Sequence, residues 1–191
     1  MDEILKYYDE LQKIYDSNEL KFKDNSDHAH NAMILRLMLN NSNRIYMYCG
    51  SMSIFRNQFY NHIPVEYREA TKNLVREDLI EFLNRPDTEI TVIMENDLPE
   101  GSGAELIVDA EMLSSRLTLL KLPNYDDNLY RSLRDDIYHF SFTEDGRIVR
   151  METDKTNHKA VCRIAKIGST FSGRSGFDDL LSVSEPVASI A

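Results

Sequence analysis

The feature that most constrains the fold is an alternation of strand and helix patterns between residues 44 and 122. RIYMYCGSMSIF is rich in Ile, Tyr and Met and predicts a buried first strand. A long helix is predicted over VEYREATKNLVREDLIEFLN, which follows a proline and leaves a charged outer face. EITVIMEND predicts the second strand, Ala104 to Ser115 a further helix, and Leu117 to Leu122 the third strand. This order is typical of a parallel sheet with right-handed crossovers.

Two helices are predicted ahead of this series. Residues 2 to 17 carry apolar side chains at three- and four-residue intervals and predict an amphipathic helix. The polar stretch from Lys21 to Asn25 breaks that pattern, and Ser26 or Asp27 can then cap a second helix. That helix, AHNAMILRLMLNN, is apolar nearly all round, which predicts burial. We therefore expect an N-terminal helix and connector over residues 1–25.

The last third of the chain has a different pattern. YHFSFTEDGRIVRMET predicts two strands joined by a hairpin turn near Asp145 and Gly146, and AVCRIAKI predicts one more strand. Residues 171 to 184 favour a terminal helix, and residues 185–191 a flexible tail. We therefore expect one α/β domain over residues 26–184, with a mixed, largely parallel central sheet flanked by helices.

Composition and charge bear on location and partners. The N-terminal segment mixes charges with apolar residues and lacks the apolar run of a signal or membrane span. We expect a cytoplasmic protein without membrane association, in which Cys49 and Cys162 are buried free thiols. The formal net charge of −10 argues against a nucleic-acid partner. It fits either simple solubility or an acidic surface that docks a protein partner.

Short motifs give no complete metal or cofactor site. His28 and His30 form an HxH pair, but side chains two positions apart on a helix point away from each other, and His62 is the only nearby supplement. We expect capping or packing there and no metal. Gly50 and Ser51 follow the first strand, where parallel sheets present ligand groups, yet GxGxxG, GxxxxGK[ST] and GxSxG are all absent. No cofactor is therefore expected.

His139 opens the segment HFSFTEDG on a late strand, after the alternating series. This segment, together with the order of elements from about Asp27 to Ser182, resembles one half of the two-lobed unit of the phospholipase D-like superfamily. In that family a His is the nucleophile, a Lys two residues later binds phosphate, and an Asp about six residues beyond orients the site. The resemblance makes His139 and Asp145 candidate catalytic residues. It makes Ser51, His139 and Ser169 candidate ligand-binding residues.

The sequence departs from the family pattern, because Ser141 occupies the lysine position and the His-to-Asp spacing is one residue short. The resemblance therefore implies a non-catalytic binding or regulatory domain of a bacterial or phage system. It would recognise a phosphate-bearing small ligand, a protein partner or a second copy of itself. One alternative is a homodimeric phosphodiesterase or nuclease with a composite active site, in which Lys159, Arg147 or Arg150 supplies the missing cation. Another is an acidic protein-interaction module that docks a basic partner and whose ancestral pocket is filled. A structural interpretation of His139 is that it merely packs on its strand beside Arg150 or Glu152.

Overall fold

An eight-stranded sheet forms the centre of the described chain. The computed structural model describes residues 2–25, 27–50, 53–96, 106, 116–123, 138–154, 159–168 and 171–187. The strands are β1 (Lys21–Asn25), β2 (Arg44–Cys49), β3 (Glu89–Met94), β4 (Leu117–Lys121), β5 (Phe140–Thr143), β6 (Ile148–Asp154), β7 (Lys159–Ile164) and β8 (Glu185–Pro186). Across the sheet they run in the order β1-β7-β6-β5-β2-β3-β4-β8.

Five α-helices accompany the sheet in the described ranges. They are α1 (Asp2–Ser17), α2 (His28–Asn41), α3 (Asn57–Tyr60), α4 (Val65–Asn84) and α5 (Gly173–Val183), with a 3₁₀ turn at Ser53–Phe55. The predicted Asp27 cap of α2 is confirmed, because its Oδ1 accepts a 2.7 Å hydrogen bond from His30 N. Every residue from Asn31 to Leu39 is buried, as the apolar sequence of α2 predicts.

The α/β class is confirmed, but the expectation of a largely parallel sheet is wrong. Among the described strands only β2 with β3 and β3 with β4 pair in parallel. The other five pairs are antiparallel. The physical reason is the length of the connections: four residues separate β5 from β6, and a parallel pair needs a crossover of a dozen or more. The alternating first half therefore builds the parallel part, and the hairpins of the last third build the rest.

The two faces of the sheet are covered by different helices. On one face, α1, α2 and α4 pack over Ile45, Ile90 and Val92 in the larger apolar core. On the other face, α5 contributes Phe177 to a smaller core built around Phe142. The centre of the sheet is thus buried on both sides, which explains the long apolar runs in β2 and β3.

Three predicted segments differ from the structure or lie outside it. Lys21–Asn25, expected to be an irregular connector, forms strand β1 and pairs antiparallel with β7. Glu185–Pro186, expected to begin the tail, pair with β4. The helix predicted at 104–115 lies outside the described residues except for residue 106. Within the described ranges, none of the helices has the length and apolar character needed to cross a membrane.

Candidate functional site

Four polar side chains form a compact patch on β6, on β5 and at the residue that precedes β5. Ser141 pairs with Arg150 across the two strands, and Glu152 N donates a 2.8 Å hydrogen bond to His139 O. Because side chains alternate along a strand, residues two positions apart share one face of the sheet. His139 and Ser141 therefore lie beside Glu152 and Arg150 on the face that α2 covers.

This patch is the floor of a cavity of about 400 Å³. Helix α2 forms one wall, and the segment that follows β2 forms another. The cavity is lined by charged and polar side chains and by apolar ones from the main core. The lining includes His28, Asn31, Ile34, Leu35, Met38, Arg56, Phe59, His62, His139, Ser141, Arg150 and Glu152. Its volume lies within the roughly 300–1,000 Å³ typical of small-molecule sites.

Arg150 is partly buried at the floor. Its Nε donates a hydrogen bond to Asn31 Oδ1, and it lies 3.0 Å from the Asn25 amide oxygen once that amide is turned to face it. Burial lowers the pKa of Arg150, and the nearby Glu152 carboxylate opposes that shift. The guanidinium nevertheless stays charged, because arginine titrates far above neutral pH. In the described part of the chain its two terminal nitrogens have no hydrogen-bond acceptor.

A second arginine lines the same cavity and is more deeply buried than Arg150. Arg56 is only 6% exposed. Its Nη2 donates a 3.0 Å hydrogen bond to Gln58 Oε1, and its buried Nε has no partner among the described residues. A buried N–H group left unpaired costs about 1–3 kcal/mol. Two guanidinium groups therefore line one cavity with hydrogen-bond donors to spare.

His139 lies between two carboxylates. Its Nδ1 is 3.0 Å from Glu152 Oε2, and its Nε2 is 3.2 Å from Glu95 Oε2. Both contacts are ion pairs when the imidazole is protonated. Glu95 is itself positioned by Tyr48, whose hydroxyl donates a 2.6 Å hydrogen bond to Glu95 Oε1.

These carboxylates set the charge of the imidazole. Burial alone would lower the pKa of His139, but the paired Glu152 and Glu95 outweigh burial and raise it to about 9. His139 is therefore an imidazolium at neutral pH. With Arg56 and Arg150 it gives three cations against the two carboxylates, so the site as a whole favours an anion.

The candidate residues of the sequence are only partly brought together. His139 and Ser141 line the cavity. Asp145 lies in the β5–β6 turn, at the other end of β5 from His139, where its Oδ1 accepts hydrogen bonds from Thr143 Oγ1 at 2.6 Å and Arg147 N at 3.1 Å. Ser51 and Ser169 lie outside the described residues.

The histidine pair on α2 does not converge on a metal. His28 stacks on His62 at a centroid distance of 4.5 Å, whereas His30 stacks on Tyr7 at 3.9 Å. Within the described ranges, His, Cys, Asp and Glu side chains form no cluster of three or more that could hold a metal ion. The two imidazoles of the HxH pair thus serve different aromatic contacts.

Sequence reasoning missed Arg56 and Asn31 as site residues. Neither belongs to a motif, and Arg56 lies between the predicted first strand and the long helix, where the sequence predicted no element. Arg150 could have been identified from the sequence, because a charged residue at a core-facing position of an apolar strand is rare unless it is paired or functional. Two comparisons with known proteins add no assignment: no protein-family model matches the sequence, and neither does any curated protein.

Proposed function

We propose that this α/β domain binds a small phosphate-bearing ligand in the cavity and does so without catalysing its hydrolysis. One observation carries the proposal: two guanidinium groups, that of buried Arg56 and that of partly buried Arg150, line one cavity and have unused donors. Burying a cation without a partner is costly, so such a pair is expected where an anion completes the site. Arginine forks match the oxygens of phosphate in spacing and direction.

The resemblance to the phospholipase D-like superfamily is part of this proposal. Ser141 occupies the position of the family lysine, and the guanidinium of Arg150 is attached directly across from it on β6. A phosphate-binding cation is therefore retained, but it comes from the neighbouring strand.

The state of His139 supports binding over catalysis. A nucleophilic imidazole needs a neutral nitrogen whose lone pair can reach phosphorus. A pKa of about 9 leaves the ring protonated near neutral pH, and a carboxylate lies within 3.2 Å of each nitrogen. His139 is thus suited to hold positive charge beside the ligand.

The binding proposal is tested by calorimetric or NMR titration of the protein with inorganic phosphate. We expect saturable binding in the wild type and at least about a tenfold loss of affinity in Arg150→Met, because one charged hydrogen bond contributes about 1.5–3 kcal/mol. Arg44→Met is the matched control, since Arg44 lies on the same sheet, is 47% exposed and does not line the cavity.

Stability measurements separate a ligand-binding role from a structural one. Arg150→Met takes the Arg150 donor away from Asn31 Oδ1 and removes a cation near Glu152, so its midpoint in urea should fall below that of the wild type when no ligand is present. Phosphate should raise the midpoint of the wild type and of Arg44→Met, and should leave that of Arg150→Met nearly unchanged. Unchanged phosphate affinity in Arg150→Met, or no phosphate binding by the wild type, would refute the proposal.

The same geometry favours one other function. Arg150 beside Ser141 supplies the cation that an active phosphodiesterase or nuclease would need, with a composite site completed by a second copy of the chain. Turnover of a chromogenic diester or of labelled DNA or RNA that disappears in His139→Ala would establish that alternative.

A further inference from the structure

One face of α2 runs along the whole cavity. Its lining residues follow the helical repeat: His28, Asn31, Ile34, Leu35 and Met38. Asn31 lies next to Arg150, whose Nε donates a hydrogen bond to it. His28 lies one turn nearer the helix N-terminus, a rise of about 4.5 Å. Chemically different groups are thus arranged on either side of the arginine.

The aliphatic side of this face offers little surface to a ligand. Ile34, Leu35 and Met38 are only 1%, 2% and 1% exposed. All three belong to the main apolar core, where their surfaces are already packed. A large apolar ligand group would have to displace core contacts to bind there.

The other side presents aromatic rings. His28 lies 4.8 Å from the Phe59 ring and 4.5 Å from the His62 ring, with the two imidazoles inclined by only 21°. His62 is exposed, and among the described residues His28 is the only ring that contacts it. The stack can therefore accept one more planar ring next to His62.

We propose that the ligand is a phosphate monoester of a planar heterocycle, of the size of a mononucleotide. Its phosphate binds Arg150 and Arg56, and its heterocycle stacks on the cluster formed by His28, His62 and Phe59. This inference rests on the proposed phosphate-binding function. A cavity of about 400 Å³ has room for one such unit.

The test compares four probes in calorimetric titrations: inorganic phosphate, ribose 5-phosphate, butyl phosphate and adenosine 5′-monophosphate. We expect adenosine monophosphate to bind at least about fivefold more tightly than ribose 5-phosphate, because stacking of one base on an aromatic side chain contributes about 1–3 kcal/mol. We expect butyl phosphate to gain no such advantage, since the aliphatic wall is already packed.

Variants test whether the aromatic cluster causes the tighter binding of adenosine monophosphate. His62→Ala should bring the affinities for adenosine monophosphate and ribose 5-phosphate close to each other. His30→Ala is the matched control. Like His62, His30 is an imidazole stacked on an aromatic ring, in this case that of Tyr7, but it does not line the cavity. It should bind all four probes as the wild type does.

The outcomes separate this inference from the function on which it rests. Equal affinities for adenosine monophosphate and ribose 5-phosphate, with phosphate binding still lost in Arg150→Met, would overturn the stacking proposal alone. A preference for butyl phosphate would also overturn it. No binding of any phosphate probe would overturn the proposed function itself.

Discussion

At the scale of single residues, the pairing of His139 with Glu152 and Glu95 links the site to pH. A group whose pKa is raised by folding stabilises the folded state while it is protonated. The pKa of His139 is about 9 in the folded protein, against an ordinary value of 6.5. Its contribution is therefore complete below pH 6.5, declines as pH rises and is lost above pH 9. The full contribution is about 3 kcal/mol, from about 1.4 kcal/mol for each pKa unit.

This coupling predicts a pH-dependent stability that depends on His139. The free energy of unfolding in urea, measured at pH 6 and pH 9.5, should fall by about 3 kcal/mol more in the wild type than in His139→Gln. NMR titration of the His139 ring should give a pKa near 9 in the wild type. The pKa should fall in Glu152→Gln, because the amide removes a negative charge. A wild-type ring that titrates near its ordinary value of 6.5 would contradict this account.

At the scale of elements, the β5–β6 hairpin places His139 and Asp145 far apart. These are the two residues that the family resemblance makes candidate catalytic partners. His139 lies at the cavity end of β5 and Asp145 at the turn end, where it accepts hydrogen bonds from Thr143 and Arg147. An aspartate that bonds to the backbone two residues on is a common turn-forming device. In this structure Asp145 stabilises the hairpin and does not contact the cavity.

Replacing Asp145 should therefore affect stability and not ligand affinity. Asp145→Ala removes two hydrogen bonds and should lower the free energy of unfolding by about 1–3 kcal/mol. Asp145→Asn keeps an acceptor oxygen and should cost less. Phosphate affinity, measured below the unfolding transition, should equal that of the wild type in both variants. A selective loss of phosphate binding in Asp145→Asn would instead place Asp145 in the site.

The elements also show what the sequence could and could not predict. Hydrophobic periodicity located α1, α2, α4, β3 and β4, because each buries an apolar face or run. It missed β1, since KFKDN lies at a sheet edge and only Asn25 is buried. It also missed Arg56 and Asn31 as site residues. Their importance comes from a cavity formed by β6, α2 and the segment after β2, which are far apart in sequence.

At the scale of the whole molecule, the net charge opposes the local charge of the cavity. The chain carries a formal charge of −10, whereas Arg56 and Arg150 line the proposed site. The long-range field therefore repels an anionic ligand, and the guanidinium groups of the cavity attract it only at close range. Salt screens the exposed charges far more than the buried ones.

This opposition predicts an unusual salt dependence of ligand association. The association rate constant of adenosine monophosphate, measured by stopped flow or NMR line shape, should rise between 20 mM and 300 mM potassium chloride. The Debye length shrinks over this range from roughly 20 Å to about 6 Å, which weakens the repulsion. The dissociation rate constant should change less. An association rate constant that falls with salt would contradict this account, because it would show that the positive charge of the cavity attracts the ligand more strongly at long range than the net negative charge of the chain repels it.

The two edges of the sheet have a consequence for how the chain avoids aggregation. β1 carries Lys21 and Lys23 along its length, paired with Glu19 and Glu10 at 3.1 Å and 2.8 Å. β8 is two residues long and ends in Pro186, which has no N–H to offer. Strand edges with lysine, with proline or of very short length are poor templates for the strands of another molecule. An eight-stranded sheet can thus fold in a crowded solution with little risk of growing edge to edge into fibrils.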